Sequence, residues 1–302
     1  MDRTAPSKEK TWGLTALFLG VIAIGMAPIL VRFSHSDPSA VAFWRIFIAL
    51  PFMYIIAFCR DNKIKSRPNR TDYLWMIVSG IAFAADLGFW HLSIQMTNIA
   101  NATLFDNSAP IFVCLFTWLV FKQKLSWIIW IGLALTVLGG IALVMPHLDL
   151  SPQYLIGDAW GLVAAFFYAL YIIAIGRARR SFSVMHLMAH SGLVSCLALG
   201  LIILVTGESF KVHSLHGWSA IIALALIVHL LGQGLIAYSL RFIPATLSSI
   251  TLLGQAVIAT IAAWFIFNEA LSTIQIIGTI TILLGIAISQ GSRQAKNHKN
   301  SL

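Results

Sequence analysis

The chain has 302 residues, of which 59% are hydrophobic and only 10% are charged. Water-soluble domains carry about 25% charged residues, so this composition excludes a soluble fold and indicates apolar surface that faces lipid. A formal net charge of +9 would suggest nucleic acid in a soluble protein. Here the basic residues lie between apolar runs, so we expect no nucleic-acid partner.

Ten apolar segments follow one another along the chain, each near the roughly 20 residues that a helix needs to cross a bilayer. The joins between them are short, which predicts antiparallel neighbours in space. We see no clear cleavage site after the first segment, so it is predicted to be a span rather than a signal peptide. The predicted spans are 12–33, 39–59, 73–94, 99–120, 125–146, 155–176, 184–206, 217–240, 245–267 and 272–290.

Basic residues alternate with the spans. With ten spans both termini lie on one side of the membrane, and all but three of the 20 lysines and arginines fall on that side. The exceptions are Arg32, Arg45 and Lys211. Cytoplasmic loops carry an excess of Lys and Arg, so we predict a multi-pass protein of the cell (inner or plasma) membrane with both termini cytoplasmic.

The chain repeats internally, because residues 117–143 align with residues 263–289. Each half has five spans, an odd number, so the second half must enter the membrane from the opposite face. The predicted fold class is therefore an all-α integral membrane protein with ten transmembrane helices in two inverted five-helix repeats, residues 1–147 and 148–302. One chain holds both repeats, which leaves a monomer and a homodimer open.

Glycines recur at matching positions of the two repeats. Gly132 and Gly139 in the fifth span align with Gly278 and Gly285 in the tenth. Because small residues on one face let transmembrane helices approach closely, these two spans are predicted to pack on each other, across the axis that relates the repeats.

Four motifs and the glycine-rich fifth and tenth spans resemble the EamA family of the drug/metabolite transporter superfamily over nearly the whole chain. The motifs are AFWR at 42–45, NATLFDNSAPIFVCLFTWLVF at 101–121, GDAWGLVAAFFYALYIIAIGRARR at 157–180 and PATLSSITLLGQAVIATIAAWFIFNEALS at 244–272. The resemblance implies export or uptake of amino acids or other small metabolites, usually without ATP. One departure breaks the symmetry between halves: Pro110 of the fourth span becomes Ala256 in the ninth.

Three charged residues lie inside the predicted spans, where charge is costly and usually functional. At 1.5 Å of rise per residue, Arg45, Asp86 and Asp106 each lie about 9–12 Å below the same membrane face. One interpretation is a structural ion pair of Arg45 that locks three helices. The other is substrate binding by both acids, with proton coupling, since one base leaves one carboxyl unpaired and burial favours the protonated form of such a group.

Polar neighbours extend this candidate site along the third and fourth spans. Trp90 shares a helical face with Asp86, and Thr103 and Asn107 share one with Asp106. Pro110 cannot donate a backbone hydrogen bond to the carbonyl of Asp106. A kink is predicted here, either for binding and hinge motion or for packing.

The second half offers neutral polar candidates. His229 and Gln255 each lie about 15 Å from the inner end of their spans, so we expect them to meet near the midplane. Gln233 follows His229 by one helical turn. Tyr168 and Tyr171 of the sixth span are packing residues or cavity walls, and His229 is alternatively a hydrogen-bonded core residue.

These observations favour a secondary transporter of a small-molecule substrate, with no cofactor and no metal. The sequence has no nucleotide-binding glycine-rich loop and no soluble ATPase domain, which argues against an ATP-driven pump. The alternative is a membrane-embedded enzyme that uses His91, His190, His229 and the two aspartates. A scaffold or receptor is a third class, but it would not need polar centres in both halves.

Overall fold

The computed structural model describes residues 6–34, 36–60, 68–97, 99–212, 214–267 and 271–299. Within these residues, ten helical spans are long and apolar enough to cross a membrane, which confirms the predicted number. The spans, first to tenth, are Glu9–Ser34, Ser39–Cys59, Arg70–Met96, Asn101–Val120, Trp127–His147, Pro152–Ala178, Val184–Thr206, Leu215–Ser239, Ala245–Ile266 and Thr273–Gly291.

Six spans are built on one α-helix each, and large apolar side chains are exposed on their surfaces. Large apolar side chains such as Phe58 and Val205 are 80% and 78% exposed, which fits helices that contact acyl chains rather than water. The six helices are Pro38–Arg60, Arg70–Met96, Trp127–Val144, Leu155–Ala178, Val184–Thr206 and Thr273–Lys299.

The other four spans are interrupted inside the membrane. The first is divided at Met26, the fourth at Asn107 and Ser108, and the ninth at Leu253, while the eighth contains a π-helical stretch. Their segments are Pro6–Gly25 and Ala27–Ser34; Ile99–Asp106, Ala109–Leu115 and Phe116–Val120; Leu215–Ala223, Leu224–Gln233 and Gly234–Ser239; Ala245–Leu252 and Gly254–Phe267.

Proline accounts for two of the interruptions. Pro28 and Pro110 each lack the N–H group that would bond the carbonyl four residues earlier, and each lies just after a break. The predicted kink beside Asp106 is therefore confirmed. The ninth span breaks at the matching position of the second repeat without a proline, where Gly254, a poor helix former, begins the next segment.

The fifth and tenth spans pack backbone to backbone, as the glycines predict. A Cβ atom at Gly132 would lie 2.7 Å from the carbonyl oxygen of Gly285, and one at Gly139 would lie 2.8 Å from that of Gly278. Residue numbers rise in one helix as they fall in the other, so the helices are antiparallel. The contact between Gly132 and Gly285 is the repeat image of the contact between Gly278 and Gly139, as an inverted repeat requires.

Candidate functional site

A cavity of about 120 Å³ lies inside the bundle, among spans of both halves. Eight of the ten predicted binding residues line it: Asp86, Trp90, Thr103, Asp106, Asn107, Tyr168, Gln233 and Gln255. Arg45 lines it as well, so the three intramembrane charges converge as their depths predict. Tyr171 and His229 are not among its lining residues.

The interrupted helices meet at this cavity. Gly25 and Pro28 line it from the break in the first span, Asn107 from the fourth, Gln233 from the end of the π-helical stretch, and Gln255 from just beyond the break in the ninth. Broken helices leave backbone groups without intrahelical partners, and such backbone is tolerated at membrane depth where it lines a cavity. This arrangement recurs at the substrate sites of secondary transporters.

Asp86 and Asp106 form a carboxyl pair. Asp86 is buried, and its carboxyl group lines the same cavity as that of Asp106. Two carboxylates in such a place repel each other unless one of them holds a proton. Oδ1 of Asp106 is buried without a hydrogen-bond partner among the described residues.

Arg45 brings the opposite charge to the same cavity. Its side chain is buried, and the guanidinium carbon lies 5.5 Å from the centre of the Phe83 ring, a cation–π contact. Nε of Arg45 has no hydrogen-bond partner among the described residues. The positive charge of Arg45 attracts the carboxylate of Asp86. Among the described residues, however, no carboxylate oxygen lies close enough to the Arg45 guanidinium to form an ion pair. The structural ion pair of Arg45 therefore stays a prediction.

The two halves touch across the cavity. Nε2 of Gln255 in the ninth span donates a hydrogen bond to Oδ1 of Asn107 in the fourth, at 2.8 Å. The two residues lie next to the breaks of their spans. Motion of one half against the other would therefore break or remake this bond.

His229, a predicted binding residue, is not among the residues that line the cavity. Its ring stacks on Phe83 at 5.5 Å between centres, and within the described residues neither ring nitrogen has a hydrogen-bond partner. It therefore does not bond Gln255, and it is not a hydrogen-bonded core residue. The depth of a residue along its helix does not reveal which neighbour its side chain faces.

Tyr171 supports the cavity wall from behind. Its hydroxyl donates to Oε1 of Gln233 at 3.3 Å, and its ring lies 4.7 Å from that of Phe83. Tyr168, which lines the cavity, stacks on Tyr171 at 5.9 Å. Of the two tyrosines, the structure therefore places Tyr168 where it can contact a solute and Tyr171 where it orients Gln233.

A second buried acid, Asp158, was missed by sequence reasoning. Thr97 and Asn101 donate hydrogen bonds to Oδ1 of Asp158 at 2.8 and 3.0 Å. These bonds join the sixth span, in the second half, to two places in the first half: the connection after the third span and the start of the fourth span. Asp158 lies in the first turn of its helix, where acids are common for the helix dipole alone, so its position carried no distinctive signal.

The loop before the sixth span completes this cluster. The backbone N–H of Asp149 donates to Oδ1 of Asn101 at 3.1 Å. Hydrogen bonds from the hydroxyl and the backbone N–H of Ser151 lower the pKa of Asp149, which lies outside the membrane spans. The loop therefore connects with Asn101, which also holds Asp158.

Comparisons with known proteins give one consistent picture. The model of the EamA-like transporter family matches residues 11–145 and again residues 155–290. An uncharacterized transporter of Archaeoglobus fulgidus is 24% identical over 278 residues, which cover 92% of this chain and 96% of the relative. The uncharacterized transporter YdfC of Bacillus subtilis is 19% identical over 279 residues, 91% and 89% of the two chains. A solved crystal structure shares the fold, with a TM-score of 0.78 and 17% identity over 94% of this chain and 98% of the other.

Proposed function

This chain belongs to the EamA-like transporter family, and from that premise we propose that it is a secondary transporter of a small zwitterionic metabolite such as an amino acid. It is a multi-pass membrane protein whose relatives are named transporters. Transport by alternating access would rock one five-helix half against the other around the central cavity.

One observation carries the choice of substrate class: the cavity presents both signs of charge with unused bonding groups. Oδ1 of Asp106 and Nε of Arg45 are both buried and without partners among the described residues. Such groups are costly unless a ligand satisfies them. An ammonium group would complete the first and a carboxylate the second.

The carboxyl pair supports proton coupling. Two carboxyl groups that line one buried cavity favour a state in which one of them holds a proton when the cavity is empty. An ammonium group that binds between the two carboxyl groups would take the place of this proton. Its positive charge favours the ionised form of both carboxyl groups and so disfavours a bound proton. The substrate and a proton would then use the same site in turn, which is exchange in opposite directions.

The arrangement of histidines favours transport over catalysis. His190 lies against His186 and Tyr54, with ring centres 4.2 and 5.4 Å away, while His229 lies behind the cavity on Phe83. The side chain of His91 is outside those that the structure describes. The described histidines do not converge with the carboxyl pair, as a catalytic site for proton transfer requires.

The proposal extends to the division of the repeats, the orientation in the membrane and the oligomeric state. The repeats divide near residues 147 and 148, both termini lie in the cytoplasm, and the protein works in the cell membrane. One chain supplies both halves of the cavity, so a monomer suffices, with a homodimer as the alternative.

A counterflow assay tests the function. Purified protein in liposomes loaded with unlabelled amino acids is expected to concentrate the same labelled amino acid from outside. The Arg45→Gln variant should lose at least about tenfold in this exchange, the usual scale for a charge-assisted hydrogen bond. Exposed Arg70→Gln is the matched control and should keep wild-type exchange. Chemical conversion of the solute, or exchange no faster than in protein-free liposomes for every amino acid, would refute the proposal.

A further inference from the structure

A groove separate from the central cavity lies at the end of the bundle where the chain termini lie. It has a volume of about 520 Å³ and lies between the seventh and eighth spans, with Ile56 of the second span also lining it. This size falls within the range of small-molecule sites. Because its residues are distinct from those around Asp86 and Asp106, the transport proposal does not account for it.

One wall of the groove is apolar and faces the bilayer. Leu231 is 53% exposed, and Leu230, Leu235 and Ile56 are half-buried beside it. Tyr238, near the end of the eighth span, is also exposed. Tyrosines gather at the level of lipid headgroups, so the groove extends from acyl-chain depth to the membrane surface.

The mouth of the groove is cationic. Arg180 and Arg241 line it and are exposed. The chain has no acidic residue between Asp158 and Glu208, or between Glu208 and Glu269. The stretches of chain on either side of Arg180 and Arg241 therefore offer these two arginines no acidic partner.

A third arginine shapes the groove without serving as a free cation. Arg179 is buried, and its guanidinium donates to the backbone carbonyls of Phe182 and, at 3.1 Å, of Ala237. These bonds tie the end of the sixth span to the eighth. They hold the neighbouring Arg180 at the groove on a rigid support.

We propose that this groove binds an anionic phospholipid, with the phosphodiester between Arg180 and Arg241 and an acyl chain along Leu231 and Leu235. Guanidinium groups suit phosphate oxygens, and basic pockets between transmembrane helices are sites of this kind. The positive-inside rule assigns this end to the cytoplasmic leaflet, which is rich in anionic lipids. A zwitterionic lipid would leave the paired cations without a counterion.

The test is a titration of the purified full-length chain in uncharged detergent with phosphatidylglycerol, with bound lipid counted by native mass spectrometry. Phosphatidylcholine with the same acyl chains is the uncharged reference, and inorganic phosphate is the lipid-free reference. We expect phosphatidylglycerol to bind, and the R180Q/R241Q double variant to bind it about thirty-fold more weakly. The R70Q/K124Q variant removes two exposed charges at the same end, outside the groove, and should keep wild-type affinity.

A second variant keeps Arg180 and Arg241 and fills the groove with a larger side chain. A Cβ atom added at Gly234 would lie 3.3 Å from Cε of Met185, the flexible end of that side chain. We therefore expect Gly234→Leu to fold, with the leucine side chain in the groove. It should weaken phosphatidylglycerol binding and leave counterflow unchanged. Equal affinity for both lipids, unchanged affinity in R180Q/R241Q, or inorganic phosphate that competes as well as the lipid would overturn the proposal.

Discussion

Asp86 and Asp106 illustrate what a single residue position reveals. Their depth follows from counting residues along a helix, because every residue advances 1.5 Å, and the structure brings them together as the count predicts. Rotation about the helix axis does not follow from counting. His229 is predicted at a similar depth to Gln255, yet its ring stacks on Phe83, while Gln255 bonds Asn107. The set of cavity residues could be predicted better than the contacts within it.

The carboxyl pair leads to a prediction at the scale of single residues. In Asp86→Asn or Asp106→Asn, one carboxylate remains without its proton-sharing partner, so a proton and a substrate no longer use the site in turn. We expect solute accumulation driven by a pH gradient in liposomes to fall at least about tenfold. The control is Asp37→Asn, at an exposed acid that does not line the cavity. Full gradient-driven accumulation in both variants would contradict the coupling.

At the scale of helices, the positions of the helix breaks can be predicted only in part. Proline explains the breaks at Met26 and Asn107, and a proline can be read directly from the chain. The break at Leu253 has no proline, so it could not be predicted from local sequence. The structure shows it at the position that matches the break of the fourth span.

The glycine contact between the fifth and tenth spans gives a sharp prediction. In Gly139→Leu the new Cβ would lie 2.7 Å from the backbone nitrogen of Ile282 and 2.8 Å from the carbonyl oxygen of Gly278, and backbone cannot move aside cheaply. We expect a loss of about 1–3 kcal/mol in the free energy of unfolding, measured as a lower Tm in detergent. Gly140→Leu is the adjacent control, because nothing lies within 4 Å of its Cβ. Equal losses in the two variants would argue against the close packing.

For the whole molecule, the decisive contacts join the two halves. Gln255 bonds Asn107 at the cavity, and Asp158 bonds Thr97 and Asn101 at one end of the bundle. In an alternating-access cycle, contacts of this kind must open in one state and close in the other. Under the proposed alternating-access cycle, the Asp158 contacts would serve as a latch between the halves.

Removing the latch should change the balance between states. Asp158→Ala leaves Asn101 and Thr97 without their shared acceptor, so we expect a loss of about 1–3 kcal/mol in the free energy of unfolding. Faster hydrogen exchange is expected in the first turn of the sixth span, measured by mass spectrometry. Asp37→Ala, at an exposed acid in the connection between the first and second spans, should change neither quantity. Unchanged hydrogen exchange at the sixth span in Asp158→Ala would show that the Asp158 contacts do not stabilise this end of the bundle.

The sequence by itself determined the membrane class, the ten spans, the inverted repeat and the similar depth of Arg45, Asp86 and Asp106. These properties follow from composition, length and helical rise, which act along one chain direction. Only the tertiary structure decided which faces turn inward, where the ninth span breaks, that Arg45 lies over Phe83, and that Asp158 joins the halves. Helix rotation and partner choice depend on packing among spans far apart in sequence, and apolar periodicity is a weak guide to packing where both lipid and protein neighbours are apolar.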